Sequence, residues 1–268
     1  MAKELTSLGS IVTVLTNHGS KMQAEIEKFC RVVNQINGEN YDLAIINHSN
    51  CWDKIPNRIP KVFTSHSAFI DIEQFPDDCE HRVGVTELTA KGNKIIRNGI
   101  DCSRFKPTKV NNTLKNILYL SNPNYREGLE IVREACHGYN LMYLESEVFS
   151  IEDYINKADL VISMSRGALE AMACGKNVIY GDKRAGWMDS FQGGGMITPQ
   201  NFNKFKEGEY IKNPIRFTAE SLRREINKYD PNRGIWLRKR ILNEFNIRKT
   251  CQEYLQIYTK SDTQNTKS

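Results

Sequence analysis

The sequence predicts an α/β protein built from two Rossmann-like halves. Three observations carry that expectation. Short apolar, β-branched runs recur along the chain, with stretches of helical spacing between them. Polar residues gather just after those runs, where open α/β sheets place their ligands. The whole alternation starts again after Pro107.

Ile11 to Thr16 reads as the first buried strand. It ends at Asn17-His18-Gly19-Ser20, a loop that opens a helical pattern. Met22, Ile26, Phe29, Val33 and Ile36 recur at three- and four-residue spacing, which describes one helix face ended by Gly38. Leu43–Ile46, Lys61–Thr64 and Arg82–Val85 read as further strands. They are followed by Asn47-His48-Ser49-Asn50, Ser65-His66-Ser67 and Thr86-Glu87. Continuous apolar strands joined by helical crossovers imply a parallel sheet covered on both faces.

The polar stretch from Lys106 to Lys115 reads as a linker. Beyond it, Ile117–Leu120, Leu141–Leu144, Leu160–Ile162 and Val178–Tyr180 read as strands, and Leu129 to Ala135 as a helix. From Leu222 onward apolar residues sit among many charges, as in helices, and Pro231 breaks the pattern once. The expected organisation is therefore a domain at 1–106, a second at 107–228, a helical crossover at 229–260 and a frayed tail at 261–268. Two such halves facing a cleft is the economical architecture.

Composition narrows the function. The chain has 268 residues, 40% apolar and 26% charged, with a net charge of +5. No run approaches the roughly 18 apolar residues of a membrane span. The first apolar run is too short and too β-branched for a signal peptide. These features lead us to expect a cytoplasmic protein. The seven cysteines are scattered, without CxxC or HxxxH spacing, so they read as reduced thiols and not as a zinc site. The basic cluster from Arg233 to Arg240, with Arg223-Arg224 before it, reads either as a solvated helix face or as an attractor of an anionic acceptor.

The segment Ser163-Met164-Ser165-Arg166-Gly167-Ala168-Leu169-Glu170 is the most informative in the chain. A strand ends near Ile162. Ser165 reads as the N-cap of a helix running to Cys174, and Gly175 supplies the left-handed residue after it. The amides at that helix start favour anions, phosphates in particular. Gly167 permits close backbone approach, and Arg166 adds charge. Glu170, one turn in, either accepts hydrogen bonds from sugar hydroxyls or edges a buried αβ unit.

Leu169 to Gly175, followed by Asn177-Val178-Ile179, resembles the LEAMACG-x-PVI signature of family-4 glycosyltransferases. Asn98-Gly99-Ile100-Asp101 with Arg104-Phe105-Lys106-Pro107 is similar to their NG(V/I)D-xx-RF-x-P segment. Thr64-Ser65-His66, Val85-Thr86-Glu87 and Ala158 to Ser163 resemble further segments in the same order. The likeness runs from about residue 11 to 200 and implies a GT-B fold with a C-terminal helix crossing back. It also implies a nucleoside-diphosphate sugar as co-substrate, a hydroxyl acceptor such as a glycan, retention of anomeric configuration, and no metal or other cofactor. The N-terminal domain would be the acceptor side. Carried over, Glu170 would bind the donor ribose, and Arg166, Gly167 and Ala168 would lie near the diphosphate or sugar. His66 would face the transferred sugar as the catalytic residue. Asn17, His18 and Gly19 would form a loop near the donor phosphates.

Two regions depart from the family. Ile162 stands where an acidic residue usually precedes Glu170, and the loop between is shortened to Ser165-Arg166-Gly167. After the first strand of the second half, Asn122 and Glu127 stand where the family has arginine and lysine. Arg126 either neutralises phosphate in their place or is a surface charge. No Asp-x-Asp metal pair occurs, and the closest approach is Asp71-Ile72-Glu73. The short N-terminal half leaves room for an unusual acceptor, with hydroxymethylated bases of viral DNA as one alternative. A sugar-nucleotide epimerase or a binding module is the alternative of another class.

Overall fold

The structure is a computed structural model. It describes residues 1–16, 23–108, 112–122, 127–146, 148–184 and 188–265, with the side chains of 258–265 outside the description. The chain forms two compact units. Unit 1 is Met1–Gly99 with Ile247–Ser268, and unit 2 is Ile100–Asn246.

Unit 1 opens with helix α1 (Ala2–Ser7), strand β1 (Thr13–Leu15), helix α2 (Gln23–Glu27) and strand β2 (Arg31–Val33). β1 and β2 form a two-stranded parallel sheet, with Val14 opposite Val32. Two expectations are corrected here. Ile11, expected in a buried strand, is 99% exposed and precedes β1. The expected helix through Ile36 stops at Glu27, because Val32 and Val33 pair with β1 instead. Their branched side chains suit a pleated ribbon, and sheet pairing outweighs the helical spacing.

The larger sheet of unit 1 is all-parallel, in the order β3 (Ala44–Ile46), β4 (Lys61–Ser65), β5 (His81–Gly84) and β6 (Lys94–Ile95). Side chains alternate across it. Phe63 packs with Ile46, Trp52, Ile55 and Ile59 on one face, and Val62 packs with Val83 and Ile96 on the other. Thr86 caps helix α3 (Glu87–Ala90) through a reciprocal bond with Thr89.

Unit 2 carries a six-stranded sheet. Its strands and helices run β7 (Asn116–Leu120), α4 (Leu129–Ala135), β8 (Asn140–Tyr143), α5 (Ile151–Lys157), β9 (Leu160–Ser163), α6 (Ser165–Ala173) and β10 (Asn177–Asp182). Then come β11 (Gln192–Met196), α7 (Phe202–Glu207), α8 (Glu209–Lys212), β12 (Ile215–Arg216), α9 (Ala219–Ile226) and α10 (Pro231–Glu244). The spatial order is β12-β11-β10-β9-β7-β8, parallel from β10 to β8 and antiparallel at β11 and β12. Leu118, Val161 and Val178 meet α6 and α10 on one face, while Ile117, Leu160, Ile162 and Ile179 meet α4 and α9 on the other. Burial on both faces explains why these strands read as unbroken apolar runs.

β11 had no strand signature, because its centre is Gly193-Gly194-Gly195. A Cβ at Gly193 would stand 2.1 Å from the Tyr180 carbonyl oxygen of the neighbouring strand. The strand exists because its side chains are missing, which inverts the usual β signature.

Pro231 does not interrupt a helix. It occupies the first turn of α10, where its missing N–H costs nothing, and Asp230 caps that turn. The helical pattern breaks again at Phe245 and Asn246. The last helix, α11 (Ile247–Asn265), therefore belongs to unit 1. There Arg248 pairs with Glu4 at 3.3 Å, and the Tyr254 hydroxyl bonds Thr64 Oγ1 at 2.8 Å in the buried face of β4.

α10 lies against α6 through backbone. A Cβ at Gly234 would stand 1.9 Å from the Gly175 carbonyl oxygen. Gly234→Ala is therefore expected to cost roughly 2–3 kcal/mol, read as a lowered urea midpoint. An unchanged midpoint would show that the two helices can separate freely.

Candidate functional site

In unit 2 the first strand, β7, has β8 on one side and β9 on the other. Strand order therefore reverses beside β7, and the carboxyl ends of β7 and β9 flank the resulting crevice. Ser121 follows β7, and Met164-Ser165 follow β9.

α6 starts at that point, but not as the sequence reading had it. Met164 is the N-cap, and no side chain caps the helix. Ser165 is the first helical residue, with φ of +52°. A non-glycine residue there carries about 1–2 kcal/mol of strain. What holds it is Tyr180, buried on β10, whose hydroxyl is hydrogen-bonded to Ser165. The C-terminal end follows expectation. Gly175 has φ of +70°, its N–H reaches the Met172 carbonyl, and Lys176 N–H reaches that of Ala171.

The side chains of the motif divide into two groups. Ala168 is fully buried in the core, so only its backbone can meet a ligand. Gly167 faces its own sheet, where a Cβ would stand 2.5 Å from Ser163 Oγ and 3.0 Å from Leu120 Cδ2. Its role here is to let α6 lie close to β7 and β9. Arg166 and Glu170 form the polar pair. Arg166 Nε donates to Glu170 Oε1 at 2.7 Å, with the arginine side chain 62% exposed and the glutamate 11%.

Burial raises the Glu170 pKa, Arg166 opposes that, and the net direction is upward. A carboxyl with a raised folded pKa binds its proton more tightly in the folded state than in the unfolded one. Ionised Glu170 therefore subtracts from stability, increasingly as pH rises above the ordinary carboxylate range. Such a costly, pre-placed acceptor is characteristic of ligand sites.

Sequence reading assigned no role to the groups beside this pair. Arg104 donates to Glu152 at 2.7 Å and to the Phe149 carbonyl, and its charge also acts on Glu170. Burial works against ionisation of Glu152. Bonds from Arg104 and from its own backbone outweigh it and hold the pKa below its ordinary value.

Asp182 was missed because the apolar run was read only to Tyr180. It is completely buried at the end of β10. It accepts from Tyr119 Oη at 2.6 Å, Ser121 Oγ at 2.9 Å, its neighbour Lys183 N–H at 2.9 Å and Arg184 Nε at 3.0 Å. Burial, then the Asp182 charge, drive the Tyr119 pKa upward, so Tyr119 stays a donor. A polar residue ending an apolar strand was the available signal.

His66 directly follows β4 in unit 1 and is half-buried. Its Nε2 donates to Asn47 Oδ1 at 2.9 Å, at the end of the adjacent β3. Asn17, His18 and Gly19 lie outside the described residues, as does Arg126. Asp71 and Glu73 belong to a single short turn, and Glu73 stands 3.9 Å from His48. Among the described residues no group of three or more His, Cys, Asp or Glu is placed to hold a metal ion, and no helix is long and apolar enough to cross a membrane. Burial pushes the thiols of Cys136 and Cys174 up to about 12.

The arginine cluster of α9 and α10 is engaged within unit 2. Arg233 donates to Asn177 at 3.1 Å and to the Lys228 carbonyl at 2.7 Å. Arg238 reaches the carbonyls of Phe105 and Ala173, and Arg223 those of Ala135 and His137. Arg240 pairs with Glu244 at 2.6 Å over the rings of Phe202 and Trp236.

The fold is GT-B-like. A glycosyltransferase from Rickettsia africae ESF-5 superposes with a TM-score of 0.65 at 15% identity, covering 97% of this chain and 92% of that one. AviGT4, a glycosyltransferase involved in avilamycin A biosynthesis, gives 0.58 at 13% identity, covering 96% and 86%. No protein-family model matches the chain, and no curated protein matches it.

Proposed function

We propose that the protein transfers a sugar from a nucleoside-diphosphate sugar to a hydroxyl acceptor, with retention of configuration and no required metal. The observation that carries this reading is Glu170. It is a carboxylate kept ionisable by Arg166 at a position where burial disfavours it, one turn into the helix that starts at the strand-order reversal. Two adjacent ribose hydroxyls would repay its burial. The α6 amides and nearby cations would meet the diphosphate as its bond to the sugar C1 breaks. The acceptor oxygen bonds to C1, and its proton passes to the departing diphosphate. His66 would orient the sugar.

The test is Glu170→Gln. The variant removes a buried charge, so the free protein should melt about 2 °C or more higher at pH 7, with the gain shrinking as pH falls toward 4. The same variant should lose most of the thermal shift produced by nucleoside diphosphates from a donor panel. A Glu170→Gln variant that binds nucleotide like the wild type removes Glu170 from the donor site. Release of nucleoside diphosphate that depends on an acceptor distinguishes transfer from epimerisation. Activity that survives chelator, together with product stereochemistry by NMR, tests the remaining parts.

A further inference from the structure

With a sugar held at His66, the groups around that residue in unit 1 meet the acceptor. We propose that Glu73 and His48, with Ile70 and Ile72 beside them, form the acceptor site, and that it takes an uncharged sugar. This rests on the reading of the protein as a nucleotide-sugar transferase and names the class of its acceptor.

The site lies at one edge of the unit 1 sheet. β3 and β4 are parallel neighbours, so their carboxyl ends lie side by side. His66 follows β4 and is bonded to Asn47, which follows β3, and His48 is the next residue. The short turns Ser49–Cys51 and Asp71–Glu73 pack together, and Glu73 Oε1 comes to 3.9 Å from His48 Nε2. That separation is beyond direct hydrogen-bond reach. A hydroxyl set between the two groups can donate to the carboxylate and bond the ring nitrogen.

The Glu73 side chain is only 15% exposed, against 50% for His48. Among the described residues no hydrogen bond to its carboxylate offsets that burial, and its pKa is raised in spite of His48. Such a carboxylate has room to accept, and sugar hydroxyls are donors that fit it. Ile70 and Ile72 stand on the same turn, 49% and 43% exposed. Gln74 Nε2 braces that turn by donating to the carbonyls of Ser67 and Ile70, each at 3.0 Å. A pyranose matches this surface: its hydroxyl edge meets Glu73 and His48, and its C–H face covers the isoleucines.

Charge argues against an anionic acceptor. Residues 68–80 include Asp71, Glu73, Asp77, Asp78 and Glu80, with no lysine or arginine. Lys91 meets this segment at the Gln74 amide oxygen, 2.9 Å away, and Arg82 meets it at the carbonyls of Asp77 and Cys79. A phosphate brought to Glu73 would be repelled.

The test uses the full chain with uridine or guanosine diphosphate present. Ligand-detected NMR and calorimetry follow methyl glucoside, methyl galactoside, methyl mannoside, glucose 6-phosphate and a DNA duplex bearing hydroxymethylcytosine. The proteins are wild type, Glu73→Gln, His48→Ala and Ile72→Ser, with the fold of each checked by circular dichroism. At least one pyranoside should bind the wild type. Its binding should weaken about tenfold in Glu73→Gln and about threefold in the other two, with nucleoside-diphosphate affinity unchanged. A wild type that binds no pyranoside, or that binds glucose 6-phosphate or the duplex more tightly than every pyranoside, overturns the assignment. Folded variants that all bind pyranoside like the wild type overturn it too. In these cases retained diphosphate binding leaves the transferase reading standing. If Glu73→Gln fails to fold, His48→Ala and Ile72→Ser decide. A wild type that binds no nucleoside diphosphate overturns the transferase reading and this one with it.

Discussion

Asp182→Ala is expected to destabilise unit 2 by about 3–5 kcal/mol, a loss large enough to unfold many domains near 37 °C. The reason is the set of donors it would leave behind. Tyr119, Ser121, the Lys183 amide and Arg184 all spend a hydrogen bond on one carboxylate that has no exposure to water. Alanine removes the acceptor and keeps the donors. The Tyr119 hydroxyl then loses its acceptor inside the core beside Phe191, and the Arg184 guanidinium loses the charge that anchors it. Tyr119→Phe is the control. It removes one donor and leaves Asp182 with the others, so about 1–2 kcal/mol should be lost. Urea denaturation at matched pH measures both. Equal losses for the two variants would mean that Asp182 is not the hub of the network.

His66→Ala should lower turnover by about a hundredfold or more while leaving the thermal shift by nucleoside diphosphate unchanged. The expected split follows from the ring's setting. The bond from Nε2 to Asn47 Oδ1 sets the angle of the ring at the end of β4. Asn47→Ala should show a smaller loss of the same kind, because the ring remains but its tautomer and angle are no longer set. Comparable loss of nucleotide binding in His66→Ala would place the residue in the nucleotide pocket. Unchanged turnover would leave it a strand-end polar group.

Legibility followed side-chain chemistry. The strands β3, β4 and β7 to β10 announce themselves by their apolar runs, because helices cover both faces of unit 2 and the core of unit 1 takes up both sides of β4. β2 was hidden, since Val33 and Ile36 fall by chance on the helical spacing of Met22, Ile26 and Phe29. Only pairing with β1 decides the matter. β11 was hidden by its glycines, whose reason is the closeness of Tyr180 and Tyr210. At the candidate site, the Arg166–Glu170 pair follows from four-residue spacing on one helix. Contacts between Asp182, Tyr119 and Ser121 join residues about sixty positions apart and follow only from strand order. The tie between Tyr180 and the strained Ser165 is of the same long-range kind.

Unit 2 is an insertion within unit 1, and the chain leaves and re-enters side by side, with Ile100 bridged to Asn246 and its N–H bonded to the Phe245 carbonyl at 2.6 Å. During synthesis the whole of unit 2 emerges before the helix that completes unit 1. Until Tyr254 arrives, Thr64 lacks its partner, and the β4 face around Val62 and Val83 lacks its cover. Nascent chains stopped short of residue 247 should therefore hold a protease-resistant second unit beside a sensitive first one.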